Sequence, residues 1–380
     1  MRTFRNDELA TRIEPLFEEN FVRFGELGAA VSIWQNGREL LALQSGFCDA
    51  RRERPWTSDT IVLFWSATKG LASACLLHVL QEHSIGLERR VVEFWPEFAE
   101  AGKSKITLAQ LLSHQAGLAA LDEAVELTNH AAVVRALEKQ APLWPPGTAH
   151  GYHARTFGFL LDELVRRIEG RSLSRYWREI FAEPLGLDTW IGLPPEENPR
   201  AATVYAAKVS GPPADPFYQA LVTPGSVQRR VFTSPRGLSA VRVMNEPANR
   251  AHAIVSLGGI GSASALGKFY AMLAQGGELA GERFFSAKTI ALMTSTLTSG
   301  PDRVFILPTA FSAGFMKDPD DATTRIFGPS AQAFGHPGAG GSHAFADPEN
   351  QLSFAYVMNQ MEQQLLPNAK SLRIVRALYE

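Results

Sequence analysis

Strand-forming runs lie near both ends of this chain and helix-forming runs fill most of the space between, so the simplest architecture brings the two ends together in one sheet. In "GAAVSIWQNGRELLALQSGF" two β-rich runs flank Asn36-Gly37, the pair that supplies positive φ at both centres of a type I′ turn, and residues 28–47 are predicted to form a hairpin. In "GSHAFADPENQLSFAYVMN" two more strand runs surround Asp347-Pro348-Glu349-Asn350, which predicts a second hairpin. Leu9, Ile13, Leu16, Phe17 and Phe21 recur at helical spacing over 5–24, and "AKSLRIVRALYE" reads as a closing helix. Between these ends, helices are predicted at 67–83, 107–113, 131–140, 155–169, 173–182, 262–275 and 286–296, with a strand-like run in "FILPTAFSAGFM".

The expected fold is therefore α/β of the α+β type: an antiparallel β-sheet flanked by helices, with an inserted α-rich domain. At 380 residues the chain suits about two domains. Residues 1–70 plus 255–380 would make the sheet domain and 71–254 the α-rich one. Within the latter, 193–250 is rich in Pro and Gly ("LPPEENPR", "SGPPADPF", "TPGS") and reads as an extended loop or lid over a cleft.

The one long uncharged stretch, 61–80, raises the question of function. It contains a single formal charge, Lys69, inside "FWSATKGLASACLLHVL". With Lys69, His78, Ser66, Thr68 and Gly70 in the run, a buried helix is expected rather than a bilayer span. Desolvating an amine is costly, so its presence calls for a use. If the helix begins at Ser66, Ser66 and Lys69 share a face one turn apart, and an amine kept neutral by burial can take the serine proton. The amides of the first turn would favour an oxyanion there. S-x-x-K occurs once in the chain.

Two other segments offer what a serine–lysine pair lacks. "PPGTAHGYHARTFGFLLDELV" puts Tyr152 in a turn just before a helix, from which a phenol can project as a second proton carrier. "FGHPGAGGSHAF" is a Gly-rich approach to a strand, where backbone can come close to a ligand.

In this order and at these separations, "SATK", "PPGTAHGY" and "GHPGAGGSHAFADPENQLSFAYVMN", with "LLSHQAGL" and "SLGGIGSASALGKFYAML", resemble the serine β-lactamase-like superfamily, in its class C β-lactamase and family VIII carboxylesterase branch. The resemblance runs through most of the chain. It implies Ser66 as acylated nucleophile, Lys69 as its partner and Tyr152 as general base, with an oxyanion hole from the amides of Ser66 and Ala339. It also implies that a cationic Lys69 lowers the Tyr152 pKa, so that the two titrate as a coupled unit. His336 and Gly338 of the His336-Pro337-Gly338 triplet stand where the family carries K-T-G or a variant.

Two departures point away from β-lactams. The family's Y-x-N reads Tyr152-His153-Ala154 here, and Ala154 has no side-chain amide. His336 is at most partly charged and Pro337 has no hydroxyl, so a substrate carboxylate finds little to hold it. The expected activity is that of a serine carboxylesterase acting on small or short-chain esters through an acyl-enzyme. Alternatives on the same fold are a β-lactamase, a D-amino-acid peptidase or an acyltransferase, and a different class of reading is a catalytically silent scaffold.

Other signals are weaker. Gly340-Gly341-Ser342-His343-Ala344 approaches G-x-S-x-G, but strand, turn and strand follow it rather than a nucleophile elbow. His150 with His153, and His336 with His343, have no carboxylate or cysteine at ligand spacing, so neither metal nor cofactor is expected. His114 suits a loop-stitching role. Phe64, Trp65, Trp95 and Trp144 suit either an acyl pocket or the core, and Trp65 is the candidate beside the nucleophile.

Composition narrows the partners. A formal charge of -2 with no long run of either sign gives no footprint for nucleic acid or acidic lipid, leaving a small ester as the expected partner and the oligomeric state open. Cys48 and Cys75 form no CxxC pair and read as buried thiols, with disulfide pairing left open. "MRTFRNDELATRIEPLF" has no apolar run like that of a secretory leader, so a cytoplasmic location is expected.

Overall fold

The structure is a computed structural model that describes residues 4–209, 211, 213 and 215–380. Helix α1 (Asn6–Arg23) leads into β1 (Gly28–Gln35) and β2 (Arg38–Gly46), joined as expected through Asn36 and Gly37 at φ 53° and 72°. Then come β3 (Val62–Leu63), α2 (Thr68–Glu82), α3 (Leu108–Leu112), α4 (His130–Lys139), α5 (Thr156–Glu169), α6 (Leu173–Trp177) and β4 (Thr189–Ile191). The Pro/Gly-rich stretch is more regular than a lid-like loop. It folds α7 (Pro216–Val222), α8 (Val227–Thr233) and α9 (Pro247–Arg250), because Asp215 and Ser226 cap the first two and Pro occupies the first turn of α7 and α9.

The remainder comprises β5 (Gly259–Gly261), α10 (Ala263–Ala274), β6 (Glu278–Leu279), β7 (Glu282–Arg283), α11 (Ala287–Thr294), β8 (Thr298–Pro301), β9 (Pro308–Phe311), β10 (Met316–Lys317), β11 (Phe334–Gly335), β12 (His343–Asp347), β13 (Leu352–Met358) and α12 (Ala369–Tyr379). The main sheet is antiparallel with eight strands in the order β2-β1-β13-β12-β11-β10-β9-β8. Its centre joins the two ends of the chain, β1 pairing with β13 from Ala29 opposite Met358 to Gln35 opposite Leu352.

Strand alternation assigns each face a helix layer. Ala29, Val31, Ile33, Phe345, Phe354 and Tyr356 pack with α1 and α12, while Ala30, Ala344, Ala346 and Ala355 face α10. The small residues on the second face let α10 approach closely, and Ser353 Oγ donates to the Gly267 carbonyl of that helix at 2.7 Å. A three-stranded sheet, β3-β5-β4, lies where the segment before α2 meets the one before α10. No helix among the described residues is long and apolar enough to cross a membrane.

Candidate active site

Ser66 lies just before α2 rather than in its first turn. Trp65 adopts φ 53°, a left-handed conformation costly for a bulky residue, and the helix starts only at Thr68. Thr68 holds this bend: its hydroxyl donates to the Trp65 carbonyl at 2.5 Å and accepts from the Gly259 amide at 2.8 Å. The turn still leaves Lys69 beside the serine, with Nζ 3.2 Å from Ser66 Oγ.

Lys69 is wholly buried, and its other two polar contacts are carbonyls, Ala154 O at 2.9 Å and Ser256 O at 2.8 Å. Burial, with no carboxylate to offset it, pushes the amine well below the ordinary lysine range. A neutral amine has two N–H donors and one lone pair. In its neutral form the amine would give both donors to the two carbonyls and keep its lone pair for the Ser66 hydroxyl.

Tyr152 is fixed from several sides. Its N–H donates to Asp302 Oδ1 at 3.2 Å, and its ring stacks on Phe305 with centroids 4.5 Å apart. His114 clamps the flanking backbone, accepting the His153 N–H at Nδ1 (3.2 Å) and the Gly151 N–H at its carbonyl (3.1 Å), which is the stitching role expected of it. His153 is locked in turn, donating from Nδ1 to Gly151 O at 2.7 Å and accepting the Leu118 N–H at Nε2, 2.9 Å.

Burial pushes the Tyr152 phenol far above its usual range; the nearby Ser66 hydroxyl opposes that rise and the Asp302 carboxylate adds to it. The Tyr152 hydroxyl makes no well-formed hydrogen bond with the described residues. The expected pairing of a lysine ammonium with a phenolate is not set up. Nζ sits over the face of the Tyr152 ring, 4.8 Å from its centroid, and burial favours the neutral form of both groups.

The Gly-rich segment closes the site from the other end of the chain. A Cβ on Gly338 would stand 2.1 Å from the Phe64 carbonyl oxygen, so only glycine lets this segment run against the nucleophile's own segment. Ala339 then opens a tight turn in which Gly340 adopts φ 83°. His336 is buried with Nδ1 on the Pro337 carbonyl at 2.8 Å. Burial, helped by the nearby Lys69, lowers its pKa to about 3, so it is a neutral imidazole.

Ser66, Tyr152, His336 and Ala339 line one cavity of about 360 Å³. Much of the rest of its lining is apolar, with Phe217 and Leu221 of α7, Phe232 of α8, Phe305 and Met361, joined by Tyr218, Glu362, Gln363 and Gln364. Of the other residues singled out from sequence, Gly338 supports the wall from behind, Trp65 packs partly against the core instead of lining the cavity, and Ser342 is fully buried. No cluster of three or more His, Cys, Asp or Glu side chains suited to a metal occurs among the described residues.

Sequence reasoning did not find Asp302 or Ser256. Asp302 Oδ1 also accepts the Val304 and Phe305 amides at 2.7 and 2.9 Å, so one carboxylate orients both stacked rings. Ser256 Oγ donates to Arg155 O and accepts the Gly158 N–H at 2.6 and 2.7 Å, tying the start of α5 to the carbonyl that holds Lys69.

The chain is similar to known proteins over nearly its whole length. It is 31% identical over 355 residues to the esterase/beta-lactamase LipL of Mycobacterium tuberculosis, covering 89% of this chain and 78% of that protein. Among solved structures, a penicillin-binding protein homolog from Caulobacter crescentus superposes with a TM-score of 0.87 at 35% identity, over 100% of this chain and 98% of that one. A family VIII carboxylesterase gives the same TM-score, identity and coverage. The beta-lactamase family profile matches residues 17–377, and with the serine and the Gly-rich segment lining one cavity and the buried amine 3.2 Å from the serine, the chain belongs to the beta-lactamase family.

Proposed function

We propose that the protein is a serine carboxylesterase that hydrolyses small, apolar esters through an acyl-enzyme on Ser66. The observation that carries this reading is the coordination of Lys69, whose two carbonyl contacts and depressed pKa leave a lone pair for the Ser66 proton. Ser66 Oγ attacks the ester carbonyl carbon as its proton passes to Lys69 Nζ, and the carbonyl π pair moves onto oxygen. That oxyanion is received by the amides of Ser66 and Ala339. On collapse the C–O bond breaks, and the leaving alkoxide takes the proton that Lys69 accepted, with the Tyr152 hydroxyl near Ser66 donating a hydrogen bond to it. Deacylation repeats the sequence with water as nucleophile: Lys69 accepts the water proton and returns it to Ser66 Oγ.

The cavity supports the substrate class. At about 360 Å³ it is near the small end of ligand pockets, which span ~300–1,000 Å³, and so suits short acyl and alcohol groups. LipL and the family VIII carboxylesterase, by their names, are esterases. Ala154 gives Lys69 its carbonyl and offers a ligand no side-chain amide, which weighs against β-lactams and D-amino-acid peptides as main substrates.

A fluorophosphonate adduct located by peptide mass spectrometry tests the reading. An adduct on Ser66, with 4-nitrophenyl acetate turnover lost in Ser66→Ala, is expected. Labelling at Ser342, or none, would remove Ser66 as nucleophile.

A further inference from the structure

The charge inventory of the cavity is lopsided. Among the described residues lining it, Glu362 alone carries a formal charge, since His336 is neutral and no lysine or arginine takes part. The placement of Glu362 is built from two directions. Its N–H donates to the Gly340 carbonyl at 3.0 Å, one residue past Ala339, and that carbonyl also receives Asn368 Nδ2 at 3.4 Å.

Its side chain, still 31% exposed, meets the buried Lys370 of α12 with Oε1 2.9 Å from Nζ. Lys370 is shared with Glu26 at 3.3 Å, a carboxylate with no exposed side-chain surface that accepts the Tyr356 hydroxyl at 2.7 Å. Burying a lysine between two glutamates costs desolvation and ordering, and an ordinary cavity wall does not require it. Here it holds one carboxylate in the lining of a mostly apolar pocket.

We propose that Glu362, held by Lys370, is a specificity-determining residue that restricts the site to uncharged or cationic esters and rejects anionic ones. This rests on the esterase reading above. A ligand carboxylate entering the cavity would shed its water, find no cationic side chain and face a fixed like charge. A neutral apolar group loses nothing by the same exchange, and an ammonium finds an acceptor.

The test uses two matched substrate pairs, each normalised to its rate with hydroxide. Methyl 4-acetoxybenzoate against 4-acetoxybenzoate puts the charge on the leaving group. 4-Nitrophenyl 4-methylbenzoate against 4-nitrophenyl 4-carboxybenzoate puts it on the acyl group. The full-length enzyme is expected to favour the neutral member of at least one pair by tenfold or more in kcat/KM, with the preference shrinking as salt screens the charge. Glu362→Gln is expected to raise the anionic-to-neutral ratio of that pair about tenfold, by uncovering Lys370.

Ratios near one for both pairs in the unaltered enzyme would overturn the proposal without any variant. So would a ratio that neither salt nor Glu362→Gln moves. If Ser66→Ala turns over the neutral esters as fast as the unaltered enzyme, the esterase reading itself fails, a result distinct from a failure of the charge argument.

Discussion

Gly338 passes the Phe64 carbonyl so closely that a methyl group in place of its hydrogen would stand 2.1 Å from the oxygen. No side-chain rotation relieves that contact, because both partners are backbone. Gly338→Ala is therefore expected to push Ala339 away from Ser66. The expected loss in kcat/KM is about a hundredfold or more, the scale of a missing oxyanion donor. Overpacking adds a stability cost of about 1–3 kcal/mol. Ester kinetics and thermal melting on one preparation read both, and unchanged kinetics would place the oxyanion site elsewhere.

Lys69 should govern the acid limb of the pH–rate profile. In the proposed mechanism the working amine is neutral, so activity is expected above its pKa and is lost as pH falls through it. Burial places that pKa well below the ordinary lysine value of 10.5. His336, neutral above about 3, contributes no inflection near 6.5. Lys69→Met is expected to lower kcat at least about a thousandfold with the fold retained by circular dichroism. A limb that shifts in His336→Asn would assign it to the imidazole instead.

Asp302 is a positioning residue, since it touches Tyr152 only through the backbone amide. Asp302→Asn keeps an acceptor for the amides of Tyr152, Val304 and Phe305 and should cost little. Asp302→Ala leaves those three buried donors bare, at about 1–3 kcal/mol each before relaxation. The expected signature is a fall in kcat larger than the change in KM for the alanine variant, substantially restored by asparagine. Equal losses in both variants would point to the charge instead.

How far the sequence foretold this can be read residue by residue. Asn36-Gly37 and Asp347-Pro348-Glu349-Asn350 announced both hairpins because turn chemistry is local. The serine–lysine spacing was equally local, and the pair meets as expected. What escaped depended on distant partners. Nothing near Trp65 signals that Thr68 and Gly259 hold it in a left-handed turn, and nothing near Asp302 signals that it faces Tyr152, 150 positions away. Proline and glycine in 193–250 suggested loop, yet Asp215 and Ser226 were caps in plain view.

Acid should also destabilise the fold. His153, His336 and His343 are fully buried, and burial lowers them to about 4, 3 and 3 respectively. Unfolded, each would titrate near 6.5. Between those values the unfolded chain binds more protons, so stability is intact above about 6.5 and declines as pH falls toward the folded values. The full loss, reached only below the folded values, is on the order of 3 kcal/mol for His153 and 5 kcal/mol for each of His336 and His343. Urea midpoints measured from pH 7.5 to 4.5 should fall steadily, and a flat series would mean that these imidazoles charge without unfolding.

The central sheet strands Ala29 and Met358 face each other across almost the whole length of the chain. A ribosome-bound chain that has already made Ser66 and Lys69 still lacks β13 to complete the sheet beside β1, and lacks the Ala339 amide. Closing so long a loop is a late and slow event in folding. On the proposed mechanism, hydrolytic power therefore waits until the segment from Ala339 to Met358 has been made and docked.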